Sequence, residues 1–120
     1  MPYVDVTLNS MLGIDRTSFS KMLENVIARA LACPESTFPV SEVYIRYYES
    51  GLDDANLKDL MIKVEADQHE SRMADRNQRA ESIASDIRVW LSAHGFLLPS
   101  VSGGENFVWL RLAPSGFAKI

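Results

Sequence analysis

YVDVTL, residues Tyr3–Leu8, alternates without a break: Val4, Val6 and Leu8 are apolar, Tyr3, Asp5 and Thr7 are not. A period of two predicts a β-strand with one buried face, because successive side chains of an extended chain point to opposite sides. Working outward, MLGID follows, with Asp15 placed to cap a helix. Phe19, Met22, Leu23, Val26, Ile27, Ala30 and Leu31 then recur at helical spacing, and Cys33-Pro34 stops them. Val43, Ile45 and Tyr47 alternate with Tyr44, Arg46 and Tyr48, giving a second strand. Ser50-Gly51 and Asp53-Asp54-Ala55-Asn56 read as a central loop.

The order then repeats. Leu60, Ile62, Val64 and Ala66 alternate with Met61, Lys63 and Glu65. The polar stretch DQHES leads to a helix with the stripe Ala80, Ile83, Ala84, Ile87 and Leu91, and Gly95 suits its C-terminal cap. PSVSGGEN reads as a loop. Val108, Leu110 and Leu112 alternate with Phe107, Trp109 and Arg111, and APSGFAKI reads as a terminal extension. The expected architecture is a single α/β (α+β) domain over residues 1–120. Two consecutive β-α-β units, 2–50 and 58–113, form a four-stranded sheet with two helices on one face. Each helix has crossover length, so each strand pair is expected to be parallel.

Composition narrows the function classes. Hydrophobic residues make up 47% of the 120 and charged residues 23%, ordinary values for a globular chain. A formal net charge of −4 argues against a nucleic-acid partner, which a basic stripe would signal. No apolar run approaches the roughly 18 residues of a membrane span, and the first ten residues lack a signal-peptide pattern. Cys33 is the one cysteine, so no internal disulfide can form. With no signal peptide, this points to a reducing, cytoplasmic setting. His69 and His94 lie far apart without a third ligand candidate, so no metal is expected. Asp53-Asp54 reads as solvated, and Met22, Met61 and Met73 as packing residues. Cys33 has no basic neighbour in sequence to activate it as a nucleophile.

The strand face away from the helices carries Tyr44, Tyr48, Met61, Phe107 and Trp109 among Arg46, Lys63 and Arg111. Two helices cover one face of such a sheet. A second copy of the chain is the natural cover for the other, unless the aromatics are simply scattered over a monomer.

In these features the chain resembles the tautomerase superfamily, and within it the 5-carboxymethyl-2-hydroxymuconate isomerases. The resemblance rests on Met1-Pro2 directly before an alternating strand, and on Phe38-Pro39 leading into a strand that carries Arg46. It also rests on the Ile62-Lys63-Val64 run before a helix with Arg76, Gln78, Glu81 and Ile87. It covers most of the chain to about Leu91 and weakens beyond. The chain departs from the family pattern twice. Tyr44 stands where the first of a pair of strand arginines is expected, and Ser71 aligns with a basic position whose nearest cation is Arg72.

The resemblance implies a homotrimer, no cofactor, a small carboxylate-bearing substrate and a place in aromatic-compound catabolism. It also implies catalysis by the nitrogen of Pro2 once Met1 is removed. A free α-amino group titrates near pH 8 in peptides, and burial or nearby cations lower that value, leaving a neutral base near pH 7. The same nitrogen could attack a carbonyl to form an iminium. Pro2 would move a proton along a 2-hydroxymuconate-type keto/enol acid. Arg46 would pin a carboxylate, Arg72 or Arg111 a second one or the enolate oxygen, and Tyr44 would donate a hydrogen bond in place of the missing arginine.

Each residue also has a plainer reading. Arg46 fits an inter-subunit ion pair, Arg72 and Arg76 a solvated helix face, and Arg111 a cross-strand pair. Three other functions also stand open. One is a ferredoxin-like dimeric α+β barrel with antiparallel pairing. Another is a non-catalytic ligand-binding or oligomerising module on the same fold. The last is a decarboxylase or hydratase that uses the proline as an acid.

Overall fold

The computed structural model describes residues 2–9, 12–49, 60–96 and 106–114. β1 (Tyr3–Leu8) leads to α1 (Arg16–Leu31), a short 3₁₀ turn (Val40–Glu42) and β2 (Tyr44–Glu49). β3 (Leu60–Asp67), α2 (Glu70–Ala74), α3 (Arg76–Ala93) and β4 (Phe107–Ala113) follow. Expectations for Met1, the central loop at 50–56, most of PSVSGGEN and the end of the tail lie outside the described residues.

The sheet has the order β2-β1-β3-β4. β1 and β2 are parallel, β3 and β4 are parallel, and the two units join through antiparallel β1 and β3. This is the expected pair of β-α-β units, and the parallel pairs remove the ferredoxin-like alternative. Alternation sorts the strands as expected: Val4, Val6, Leu8, Leu60, Ile62 and Val64 are buried on one side. Phe19, Leu23, Val26, Ile27 and Leu31 of α1 and Ile83, Ile87 and Leu91 of α3 complete the same core. Burying each such side chain is worth about 1.5–3 kcal/mol relative to exposure, which is what holds both helices on this face.

The ends of the helices follow from local chemistry. Asp15 stands at the N-cap of α1, where its carboxylate accepts the Ser18 hydroxyl at 2.7 Å. That bond holds its pKa below the usual value. Gly95, with φ +77°, follows the last turn of α3. The Phe96 amide donates to Leu91 O (2.9 Å) and the Gly95 amide to Ser92 O (3.2 Å), while Phe96 stacks on Trp90. This is the left-handed exit that glycine adopts without a Cβ penalty. The polar stretch before the second helix is a difference from the sequence reading. Asp67 ends β3, and Glu70-Ser71 open a separate short helix, α2, broken from α3 at Asp75, whose φ/ψ of −128°/30° is not helical.

Candidate active site

Strand direction decides what meets at the start of β1. β1 and β3 are antiparallel, so the end of β3 lies beside the beginning of β1: Tyr3 pairs with Glu65, and Asp67 is two residues further on. α1 runs back across the sheet, so its last turn reaches the same end. β2 begins there too, with the Tyr44 amide donating to Pro2 O at 3.0 Å. Pro2 itself is among the fully buried residues.

Arg72 of α2 closes this end from the helix side. It is 2% exposed and is the buried charged residue among those described. Its Nε donates to Leu31 O at 2.7 Å and its Nη1 to Asp67 O at 3.1 Å, while its guanidinium lies 5.8 Å from the centre of the Phe38 ring. Leu31 O is a carbonyl of the last α1 turn, which has no intrahelical donor and lies at the negative end of the helix dipole. A buried cation therefore finds partners there. Nη2, however, is buried and makes no hydrogen bond among the described residues. A guanidinium taken from water with one nitrogen unsatisfied is costly, and such a group is suited to an anionic acceptor. The solvated-face reading of Arg72 is thus corrected: the short helix turns the side chain inward. Arg76, by contrast, is exposed.

The other expected site residues lie on the face away from the helices, in rows set by the register. The row nearest Pro2 runs Tyr44, Tyr3, Glu65, Arg111; the next runs Arg46, Asp5, Lys63, Trp109; the third runs Tyr48, Thr7, Met61, Phe107. Tyr3 and Tyr44 stack with ring centres 5.3 Å apart. Arg46 Nε donates to Asp5 Oδ1 at 3.3 Å, and its guanidinium lies 5.9 Å from the Tyr48 ring centre. Arg46 thus pairs within its own chain. Arg111 stands across from Glu65, and Lys63 Nζ lies 5.5 Å from the Trp109 ring centre. Tyr3 is 51% and Trp109 48% exposed, so the aromatic character of this face is open. The structure therefore brings Pro2 and Arg72 to one end of the sheet, with Tyr44 and Arg111 in the nearest row of the open face and Arg46 one row further from Pro2.

Arg79 was not singled out from the sequence. It is a second clamp on the end of α1, with Nη1 donating to Ala30 O (2.8 Å) and Ala32 O (2.9 Å) and Nε to Asp75 Oδ1 (2.5 Å). The Asp75–Arg79 spacing of four was the available signal. His94 stacks on Trp90 (4.0 Å) at the end of α3. Cys33 is buried, with Sγ 3.6 Å from Ser36 O. Among the described residues, no group of three His, Cys, Asp or Glu is placed to hold a metal, and no helix is long and apolar enough to cross a membrane.

In three dimensions the chain is similar to a 5-carboxymethyl-2-hydroxymuconate delta-isomerase. The TM-score is 0.64 at 13% identity, over 100% of this chain and 88% of that one. The chain has the tautomerase fold. A fused 4-OT wild-type symmetric trimer shares that fold at a TM-score of 0.58 and 16% identity, over 93% and 85% of the two chains. So does a 5-carboxymethyl-2-hydroxymuconate isomerase from Deinococcus radiodurans R1, at 0.51 and 14% over 98% and 83%. No family model and no curated protein matches the sequence. At these identities the tautomerase fold is shared through its pattern of strands and helices rather than through residue identity.

Proposed function

We propose that the chain is a cofactor-independent isomerase of the keto–enol tautomerase type, with the nitrogen of Pro2 as general base after loss of Met1. The observation that carries this reading is the burial of Pro2 at the sheet end that Arg72 closes with an unsatisfied Nη2. Burial disfavours the charged form of an amine, and a nearby guanidinium does so further, so the free nitrogen would be neutral near pH 7. It would take the proton of a 2-hydroxyl group, or one alpha to the carbonyl, of an unsaturated 2-oxo acid. The same proton would return to a carbon further along the conjugated chain, so nothing is gained or lost. Arg72 would bind the first carboxylate, and Tyr44 would offer its hydroxyl to the enol oxygen. Arg46 and Arg111, on the open face, would meet the outer end of a longer substrate. Fold likeness to isomerases and to a symmetric trimer supports the same reading, with further copies of this chain covering the aromatic face of residues 1–120, taken as one domain.

The test is ketonisation of phenylenolpyruvate and of 2-hydroxymuconate, followed by ultraviolet absorbance, on protein whose intact mass shows that Met1 is gone. Pro2→Ala is expected to lower the rate by about 10²–10⁴-fold, the usual worth of a positioned base. Activity should rise with pH as Pro2 deprotonates. A fall over the same range would mean that the proline serves as an acid. Equal rates for wild type, Pro2→Ala and buffer would leave a non-catalytic binding module. Solution mass should correspond to three chains; a dimer or monomer would refute the trimer.

A further inference from the structure

We infer that Arg79 is a positioning residue for the site: by occupying the carbonyls on either side of Leu31 it keeps the last nitrogen of Arg72 from closing on the end of α1, and so leaves that nitrogen to a substrate carboxylate. The inference rests on the reading of Arg72 just given and names the residue that prepares it.

The end of α1 presents the consecutive carbonyls of Ala30, Leu31 and Ala32, and the last turn of a helix has no amides of its own to offer them. Two arginines share them. Arg79 Nη1 donates to Ala30 O at 2.8 Å and to Ala32 O at 2.9 Å, and Arg72 Nε donates to Leu31 O between them at 2.7 Å. Arg72 Nη1 is taken by Asp67 O at 3.1 Å. The N–H groups of a guanidinium form a rigid fork, so a free carbonyl next to Leu31 would be a ready acceptor for Nη2. Arg79 fills both, and Nη2 stays buried with no partner among the described residues.

Charge separates the two arginines as well. Arg79 Nε donates to Asp75 Oδ1 at 2.5 Å, on the residue that breaks α2 from α3. Its charge is thus met by an acid one helical turn back, and its side chain is 14% exposed. Arg72 is bonded to neutral backbone carbonyls instead. Arg79 therefore satisfies the helix end, and Arg72 keeps both its charge and one nitrogen for an anion. Without Arg79, two carbonyls at the negative end of α1 would draw Nη2 towards themselves.

The experiment measures kcat and KM for phenylenolpyruvate and for its methyl ester, in which the carboxylate charge is masked. Arg79→Met keeps an apolar stem and removes the donors. It should raise KM for phenylenolpyruvate roughly tenfold, the scale of one lost charge-assisted hydrogen bond, with kcat within about twofold. For the ester both constants should stay within about twofold, because no carboxylate is there to be bound. Arg79→Lys, whose ammonium can still donate to Ala30 O and Ala32 O, should hold KM near wild type. Asp75→Asn loosens the clamp and should raise KM for the acid about threefold, which keeps the test sound if Arg79→Met folds poorly. A KM for phenylenolpyruvate unmoved in both Arg79→Met and Asp75→Asn, or raised equally for acid and ester, overturns the inference while the isomerase reading stands. Wild-type KM in Arg72→Met would show instead that Arg72 does not bind the carboxylate. If wild type turns over neither compound, the isomerase reading itself fails. Either result takes this inference with it.

Discussion

The two faces of the sheet carry the same strands and obey different rules. On the helix side, Val4, Val6, Ile62 and Val64 are aliphatic, buried and interchangeable in kind, and they meet α1 and α3 in one core. On the other side, Tyr3, Tyr44, Tyr48, Phe107 and Trp109 are each exposed by two-fifths or more and are interleaved with Asp5, Arg46, Lys63, Glu65 and Arg111. The helix face is specified by volume and by exclusion of water. The open face is specified by pairs: Tyr3 on Tyr44, Arg46 on Asp5, Lys63 over Trp109. A face built this way can be covered by a partner without any residue in it being needed to fold a single chain.

That contrast can be broken experimentally. Phe19→Ala removes a fully buried ring from the helix face and should cost about 3–5 kcal/mol in urea or guanidinium unfolding. A loss below about 1 kcal/mol would mean that the core is not close-packed as the structure has it.

Tyr47 sharpens the comparison, because it sits on the helix side but carries a hydroxyl. That oxygen shares a hydrogen bond with Ser20 Oγ at 2.7 Å and lies 3.1 Å from Arg16 O, tying β2 to the first turns of α1. Tyr47→Phe should cost about 1 kcal/mol. Partial burial pushes the Tyr47 pKa up from its ordinary value, against smaller opposing effects of the Ser20 hydrogen bond and the Arg16 charge. A folded-state pKa raised above the unfolded one stabilises the native state below the unfolded value, near pH 10, and that contribution is lost as pH rises through the folded value. Wild type should therefore lose stability above about pH 10 more steeply than Tyr47→Phe. Parallel curves would show that Tyr47 does not titrate differently on folding.

The smallest effect on the fold of one chain is expected from Trp109→Lys, within about 0.5 kcal/mol for the separated protomer, as for other surface changes. On the proposed trimer the same change places a charge in the covered face and should shift sedimentation from three chains towards one. A variant that stays assembled would mean that the open face is not the interface.

Much of this was legible in the sequence. The four strands, α1, the glycine exit of α3 and the division of the sheet into two faces follow from alternation and helical spacing, because those patterns record which side of a local element meets the core. The pairing of the strands as two parallel units followed from crossover length. α2 was missed because Glu70–Ala74 is too short and polar to show a period. The surroundings of Arg72 were misread because three residues far apart in the chain supply them: Leu31, Phe38 and Asp67.

What the chain determined by itself is which residues can share a face, since that depends on neighbours two to four positions away. Only the tertiary structure decided which charges meet. The register set Asp5 against Arg46, and the return of α1 and β3 to the start of β1 brought Pro2 and the buried Arg72 to one end. Electrostatic pairing acts through space, between residues that the sequence keeps dozens of positions apart.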